Sequence, residues 1–400
     1  MPIGVRLPHP MPRERSKSTL RILFSIIVID VIGFGIIIPV LPFYAEEFGA
    51  SGLVLGILFT SHAAMQALFA PLWGRLADRI GRRPVMICTI AGTSGALLFL
   101  GLADSLAQIF VARILSGVFA ANISVATAYI TDVTDEDERT RWMGMVGACF
   151  GVGFVIGPAV GGPLALLGYG VPMLVAAGLA AVNFVYAIFV LKEPETHRAM
   201  TPHGVSKMGV LVAPDIRNLC ITYFLFTFAV TQLETIFAYF MMSRFDYGVL
   251  GVTGILIVMA IVMVIIQGGG MRPLVARHGE KTLLVAGIAL MALSFAMVPW
   301  APVVWLLMLP LIGSAIGRAI SQPSMMGLAS FQASAANRGA VMGTFQSSAS
   351  MARVLGPLAA GALYDWSDAA PFLLASALLF VALATTVALP VGSRGRVAAP

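Results

Sequence analysis

The 400-residue sequence has few charged side chains, few cysteines and no recognisable hydrolytic motif. Only 11% of its residues are charged, whereas an ordinary soluble domain has about 25%. Its three cysteines show neither a disulfide framework nor metal-ligand spacing. A phosphate-binding glycine loop and a Ser/His/Asp grouping are both missing, which argues against an ATP-driven pump or an enzyme. We therefore expect no enzymatic activity, no metal site and no organic cofactor.

Apolar residues dominate the composition of the sequence. They make up 58% of the chain, and the mean hydropathy is +0.92. Their runs of about 20 residues fit membrane helices and not the short alternating strands of a β-barrel. The formal net charge of +6 does not predict a nucleic-acid partner, because basic residues concentrate between the apolar runs. We expect a polytopic helical protein whose partner is the lipid bilayer.

Twelve apolar segments are each long enough to cross about 30 Å of hydrocarbon. They cover residues 22–44, 53–73, 84–103, 106–130, 142–167, 171–191, 217–242, 250–271, 282–300, 303–328, 340–364 and 370–390. We therefore divide the chain into a basic tail 1–21, a six-helix half 22–191, a linker 192–216, a second six-helix half 217–390 and a tail 391–400.

The basic residues give this arrangement an orientation. If both termini are cytoplasmic, all but four of the 25 Lys and Arg residues lie in cytoplasmic tails and loops. Arg244 lies on the other side, and Arg113, Arg318 and Arg353 lie within spans. The pattern predicts a multi-pass protein of the inner (plasma) membrane with cytoplasmic termini.

The fifth span carries small residues that suit a membrane helix and would weaken a soluble one. These are Gly144, Gly153, Gly157, Pro158, Gly161 and Gly162. Glycine costs about 1 kcal/mol in a helix interior, but in a membrane it lets neighbouring backbones approach closely. Part of the pattern recurs 199 positions later, as Gly343 and Gly356-Pro357. This span and the eleventh are thus predicted to be related interface helices.

The loop after the second span is rich in arginine and glycine. It contains Gly74, Arg75, Asp78, Arg79, Gly81, Arg82 and Arg83, and a degenerate copy follows the eighth span with Leu274, Arg277, Gly279 and Lys281. A repeat of six spans plus six, joined by a linker, is the plan of major facilitator transporters.

Four motifs carry a resemblance to that superfamily: this loop, the fifth-span glycines, the segment 30–42 and the segment 129–139. Together they resemble the twelve-span drug:proton antiporters, and the tetracycline/proton antiporters in particular. The resemblance implies an all-α membrane protein with the major facilitator fold, made of 12 transmembrane helices in two pseudo-symmetric six-helix halves.

It also implies a monomer that exports small amphipathic organic compounds by alternating access, with the proton as coupling ion and no other cofactor. A proton-coupled carrier of organic anions and a non-transporting membrane receptor remain alternatives. Tetracycline antiporters have acidic residues in the third and ninth spans and a histidine in the eighth. The corresponding residues here are Ala96, Met291 and Met263, which argues against tetracycline as the substrate.

Three ionisable residues within spans are candidates for proton coupling. A charge at a helix centre costs at least about 2.5–3.5 kcal/mol, so it is functional by default. Asp30 in the first span and Glu234 in the seventh are carboxyls that could load and release a proton. Arg113 matches the family's fourth-helix arginine, which is thought to pair with an acid. The alternative roles are a structural ion pair for Asp30, an interfacial acid for Glu234 and a structural clamp for Arg113.

Arg318 and Arg353 are this chain's own feature, because similar drug antiporters have neutral residues there. With Asp30, Arg113 and Glu234 they make five intramembrane charges, with an excess of one positive charge. We predict that Arg318 and Arg353 line the substrate cavity and contact an anionic group of the substrate. Alternatively, Glu234 and interhelical carbonyls neutralise them. Other predicted cavity residues are Phe34, Gln66, Gln232, Gln267, Gln322 and Gln346.

The resemblance further implies a cytoplasmic gate. Asp78 would pair across the interface with the beginning of the eleventh span, where a helix N-terminus stabilises an anion. Arg82 and Asp132 match the partners of a charge cluster on the same face. The alternative is that the arginines of this loop only fix the topology.

Overall fold

The computed structural model describes residues 13–134, 136–194, 214–332 and 338–387. Within these ranges all regular secondary structure is helical. The first half contains α1 (Arg13–Glu47), α2 (Gly52–Ile80), α3 (Arg82–Gly101), α4 (Leu106–Phe119 and Asn122–Val133), α5 (Glu136–Ala165) and α6 (Gly170–Val190). The tail 391–400 and most of the predicted linker lie outside the described residues.

The second half repeats this order. It contains α7 (Pro214–Phe245), α8 (Val249–Ile265, a π-helical turn Ile266–Gly270, and Met271–His278), α9 (Glu280–Met297, continued by the 3₁₀ turn Val298–Trp300), α10 (Val304–Gln332), α11 (Arg338–Trp366) and α12 (Ala370–Val387). Eleven of the described segments are long and apolar enough to cross a membrane. The exception is α11, which contains Gln346, Arg353 and several serines. The predicted all-α fold in two six-helix halves is confirmed.

The halves are built by the same helix pairings. In the first, α1 packs on α5, α2 on α4 and α3 on α6, and in the second, α7 packs on α11, α8 on α10 and α9 on α12. Across the halves, α2 packs on α11 and α5 on α8. Each of these two contacts is the image of the other under the approximate two-fold relation.

Individual hydrogen bonds follow the same relation. The second residue of α3, Arg83, donates to the carbonyl oxygen of Ile188 near the end of α6 at 2.7 Å. The second residue of α9, Lys281, donates to the carbonyl oxygen of Val387 at the end of α12 at 3.1 Å. A cation thus satisfies a free carbonyl at a helix C-terminus in both halves.

The glycines of α5 lie at helix interfaces. A Cβ at Gly153 would come within 2.8 Å of the backbone of Val31 in α1, and Gly157 and Gly161 also meet backbone atoms of α1. Gly162 instead meets Thr253 of α8, in the other half. Gly144 and Pro158 lie in the same helix. Small side chains here let α5 pack closely on two neighbours at once.

Two of the described helices depart from regular α-geometry away from their ends. The fourth is interrupted between Phe119 and Asn122, and side chains of α2 bond the carbonyl groups there: Trp73 donates to Val118 at 2.7 Å and Gln66 to Ala120 at 3.0 Å. The eighth contains the π-helical turn, whose last three residues are glycines. Irregular backbone in a membrane requires such substitute partners or a polar cavity.

Candidate functional site

The interface between the halves is closed at one end. In this closed end, Gly52–Thr60 of α2 pack on Val354–Asp365 of α11. A Cβ at Gly56 would collide with the carbonyl oxygen of Pro357, and the backbones at Gly52 and Gly361 meet directly. The Thr60 hydroxyl donates to the carbonyl oxygen of Val354 at 2.9 Å. Space for a substrate is excluded between these segments.

Asp365 caps α2 from the other half. Its two carboxylate oxygens accept from the backbone N–H of Gly52 at 2.7 Å and of Leu53 at 2.9 Å. Tyr239 of α7 adds a bond from its hydroxyl to the carbonyl oxygen of Ala50, at 2.8 Å. The N–H groups of Gly52 and Leu53 belong to the first turn of α2 and have no partner within the helix. A carboxylate is favoured at that position by the helix dipole.

The opposite end, which we name the open end, contains the residues that the sequence analysis assigned to a gate. A Cβ at Gly74 of α2 or at Gly343 of α11 would meet no atom within 4 Å. Asp78 has a side chain that is 49% exposed, and it pairs with Arg82 at 2.6 Å. Arg82 also pairs with Asp132, at 2.9 Å. The structure thus brings the three gate charges together. Residues 333–337, which precede α11, lie outside the described part of the chain.

The other gate residues flank this cluster. Arg75 and Arg79 are exposed, and Gly81 has a φ of 106°, a conformation that favours glycine. Glu193 places its carboxylate on the N-terminus of α3, where it accepts from the backbone N–H of Arg82 at 2.6 Å and of Arg83 at 2.8 Å. The predicted loop is shorter than expected, since α2 continues to Ile80 and α3 begins at Arg82, which leaves Gly81 as the turn of this gate loop. The beginning of the linker is fixed to the N-terminus of α3.

The proposed proton-coupling residues of the first half lie apart. Asp30 accepts a hydrogen bond from the amide of Asn122 at 2.9 Å. Arg113 is 4% exposed, and its guanidinium lies over the ring of Phe59 at 5.9 Å. Its Nε has no hydrogen-bond partner in the described part of the structure. The expected pairing of Arg113 with an acid is therefore not seen with any described residue.

In the second half, Glu234 and Arg318 form an ion pair. The distance between Glu234 Oε1 and Arg318 Nη1 is 2.6 Å, and both side chains are partly exposed. They line a recess between α7, α10 and α11. Its wall also includes Tyr223, Phe226, Thr227, Val230, Thr231, Gln322 and Arg353. Three of the five intramembrane charges thus share one recess.

The remaining predicted cavity residues are spread more widely. Gln66 and Gln346 are exposed, and Gln267 is exposed on the π-helical turn of α8. Gln232 is fully buried, where its amide donates to the carbonyl oxygen of Gly356 at 3.0 Å. Gln232 therefore joins α7 to α11 in this structure and does not line the recess.

Phe34 belongs to an aromatic wall in the first half. Its ring centroid lies 6.4 Å from that of His62 on α2 and 6.4 Å from that of Phe154 on α5. Both partner helices contact the second half, so Phe34 lies on the inner side of its own half. The ring is 39% exposed. It is thus available to an apolar part of a substrate.

Sequence reasoning missed the structural roles of Asp365, Glu193 and Asn122. For Asp365 the available signal was an acid near the end of α11 together with the Ser51-Gly52 helix start. For Glu193 it was an acid directly after an apolar span. Neither signal predicts which N–H groups the carboxylate would bind, because those groups are distant in sequence.

The chain matches the family model described as the Major Facilitator Superfamily over residues 23–276 and 271–398. It is 32% identical over 340 residues to the tetracycline resistance protein, class D, of Salmonella ordonez, covering 83% of this chain and 86% of that protein. It is 30% identical over 387 residues to multidrug resistance protein 2 of Bacillus subtilis, with coverage of 94% and 96%.

Solved structures share the fold. The human organic anion transporter MFSD10 superposes with a TM-score of 0.70 at 23% identity, covering 93% of this chain and 99% of that one. A bacterial homologue of the human lysosomal transporter Spinster, in an inward-facing and occupied conformation, gives 0.77 at 15% identity, with coverage of 94% and 97%. With the helix pairings and gate loop described above, these matches establish that the chain is a membrane transporter of the Major Facilitator Superfamily, homologous to tetracycline and multidrug efflux proteins.

Proposed function

We propose that this protein is a proton-coupled antiporter that exports small amphipathic organic compounds by alternating access. The observation that carries the proposal is the contrast between the two ends of the interface. Alternating access requires one end to be closed while the other admits the substrate. Names of the homologous resistance proteins support drug-like substrates for this chain.

The distribution of basic residues orients this state. If both termini are cytoplasmic, the closed end faces outward and the open end faces the cytoplasm. An exporter loads its substrate from the cytoplasm, so the described state would be the loading state. The likeness to an inward-facing solved structure supports the same orientation. Asp78 would then hold α11 only after the open end has closed.

Asp30 is the leading candidate for the coupling proton. It is a carboxyl within a membrane helix, and its described hydrogen-bond partner is the neutral amide of Asn122 and not a cation. A carboxyl without a nearby counter-charge can change its protonation during a transport cycle. Glu234 is the second candidate, but its carboxylate is already paired with Arg318.

Proton movement in proteoliposomes tests the proposal. We expect an amphipathic substrate such as ethidium, added to vesicles with a preset pH gradient, to dissipate that gradient through the wild-type protein. Asp30→Asn should abolish the coupled proton flux while exchange of labelled for unlabelled substrate continues. Asp104→Asn, at an exposed loop carboxylate, is the matched control and should behave as wild type.

The alternatives give different results in the same assay. A receptor would bind compounds without moving them or protons. A carrier of organic anions would move protons with anionic compounds only. Substrate export that is insensitive to the pH gradient in all conditions would contradict proton coupling.

A further inference from the structure

We propose that the recess between α7, α10 and α11 binds the anionic group of the substrate, with Arg353 as its principal contact. This inference rests on the proposed export function and adds a second substrate class to it, beside cations such as ethidium. The class is an aromatic or otherwise apolar body that carries one carboxylate or a similar anion. Four observations lead to this class.

The first observation is the charge balance of the recess. It contains two guanidinium groups, from Arg318 and Arg353, and one carboxylate, from Glu234. One positive charge is left without an internal counter-charge. Uncompensated charge within a membrane protein is costly. A bound anion would remove that cost, so the charge of the recess favours an anionic ligand over a neutral one.

The second observation is the state of Arg353. It forms no ion pair or hydrogen bond with any residue that the structure describes, and its side chain is exposed in the recess wall. A guanidinium offers five donors in a planar fork that matches a carboxylate. Arg113 is a useful contrast, since it is 4% exposed and cannot reach a ligand in this state. Arg353 is therefore a guanidinium that is free to bind.

The third observation concerns Arg318. Its Nη1 bonds Glu234, but its Nε is buried and has no hydrogen-bond partner among the described residues. A buried donor without a partner is costly, but this one lies out of reach of a ligand in the recess. A ligand carboxylate could instead replace Glu234 on the partly exposed end of the guanidinium. Glu234 is thus a resident counter-ion that competes with the ligand anion.

The fourth observation is the difference between the halves at equivalent positions. The glycine repeat relates residues 199 positions apart, and this spacing relates Arg353 to Phe154. Phe154 packs against Phe34, in the aromatic wall of the first half. The equivalent position is therefore aromatic in the first half and cationic in the second. The wall around Arg353 also includes Tyr223 and Phe226, so a ligand that contacts both these rings and the guanidinium has an apolar ring and an acidic group.

Binding of three matched probes tests the inference. Naphthoate, naphthamide and naphthylmethylammonium share one ring system and differ in charge. We expect the wild-type protein in nanodiscs to bind naphthoate about tenfold or more tightly than naphthamide, because hydrogen bonds to charged groups contribute about 1.5–3 kcal/mol. Naphthylmethylammonium should bind most weakly of the three.

Variants assign this preference to residues. Arg353→Gln should remove the naphthoate preference, whereas Arg353→Lys keeps the charge and should retain part of it. Glu234→Gln should tighten naphthoate binding, because it removes the competing carboxylate from Arg318. Arg244→Gln is the matched control: this arginine pairs with Asp368 at the surface, at 3.2 Å, and its loss should leave all three affinities unchanged.

The outcomes separate the inference from the proposed function. Equal binding of naphthoate and naphthamide by the wild type, or an unchanged ratio in Arg353→Gln, would overturn the anion site. Weaker naphthoate binding in Glu234→Gln would also contradict it. Proton-coupled export of ethidium in any of these cases would leave the proposed function intact. Conversely, naphthoate binding at Arg353 without export of any probe would preserve the site and refute the exporter.

Discussion

The closed and open ends use the same two helices in opposite ways. At the closed end, Asp365 from the end of α11 caps the beginning of α2, and the two backbones touch. At the open end, Gly74 and Gly343 face open space, and Asp78 near the end of α2 pairs within its own half. Asp78 could hold the beginning of α11 in the way that Asp365 holds the beginning of α2. Because α2 and α11 pack in antiparallel directions, each end of their interface has a carboxylate that can hold the facing helix.

Asp78→Asn should give the largest effect and abolish transport, although the protein still inserts. The amide loses the ion pair with Arg82. It also loses the attraction of a carboxylate for the beginning of α11, which is about 0.3–2 kcal/mol for a helix N-terminus. Initial transport rates and the amount of monodisperse protein measure the two properties separately. A transport rate equal to that of the wild type would show that the open end closes without this carboxylate.

Gly56→Val should reduce transport by about 10–100-fold, because overpacking of this kind costs roughly 1–3 kcal/mol. The added side chain would collide with the Pro357 carbonyl oxygen and hold the closed end apart. Thiol accessibility of a cysteine introduced at Val54 reports opening of that end. Gly178→Val, on the peripheral helix α6 where a Cβ meets no atom within 4 Å, is the control. Equal effects of the two substitutions would refute a steric cause at the closed end.

Asp365→Asn should shift the population away from the described state by about tenfold, since it weakens two hydrogen bonds to a charged acceptor. Distances between spin labels at both ends would report the shift. The control is Asp368→Asn, which removes an exposed ion pair with Arg244 at the same end. Exposed pairs contribute about 0–1 kcal/mol, so this variant should change the population little. A larger shift from Asp368→Asn than from Asp365→Asn would reverse our assignment.

Thr60→Val should have the smallest effect, a population shift of about fivefold, because one neutral hydrogen bond contributes about 1 kcal/mol. The variant keeps the shape of the side chain and removes its bond across the halves to Val354. Thr127→Val removes a similar bond that stays within α4, to Ser124, and should cause no shift. The same spin-label distances serve both variants.

The sequence was sufficient to predict the helices and their division into two halves. Apolar length defines a membrane helix, and the repeat of Gly157-Pro158 as Gly356-Pro357 relates the halves directly. The contact between Arg82 and Asp132 could also be predicted, because both residues match a known motif of the family. These predictions depend on local composition or on spacing within one repeat.

Contacts between distant helices were beyond this reasoning. The pair Glu234–Arg318 joins positions 84 residues apart, and its formation depends on how α7 and α10 are rotated about their axes. Hydropathy is the same for any rotation. The interruption of α4 at Ala120-Ala121 gave no signal either, because it contains neither glycine nor proline and depends on side chains of α2. For the π-helical turn of α8 the sequence does contain a signal, its three consecutive glycines.

Glu193 determines where the covalent connection between the halves is anchored. Because its carboxylate holds the first two N–H groups of α3, the connecting segment starts from a point that moves with the gate loop. A chain divided after Glu193 would keep this carboxylate in the same polypeptide as α3. The two separately synthesised halves would then retain all the residues with which they contact each other. A chain divided before Glu193 would leave the N-terminus of α3 without its cap. Whether a transporter made as two separate polypeptides assembles would then depend on which side of Glu193 the chain is divided, more than on the loss of the covalent connection.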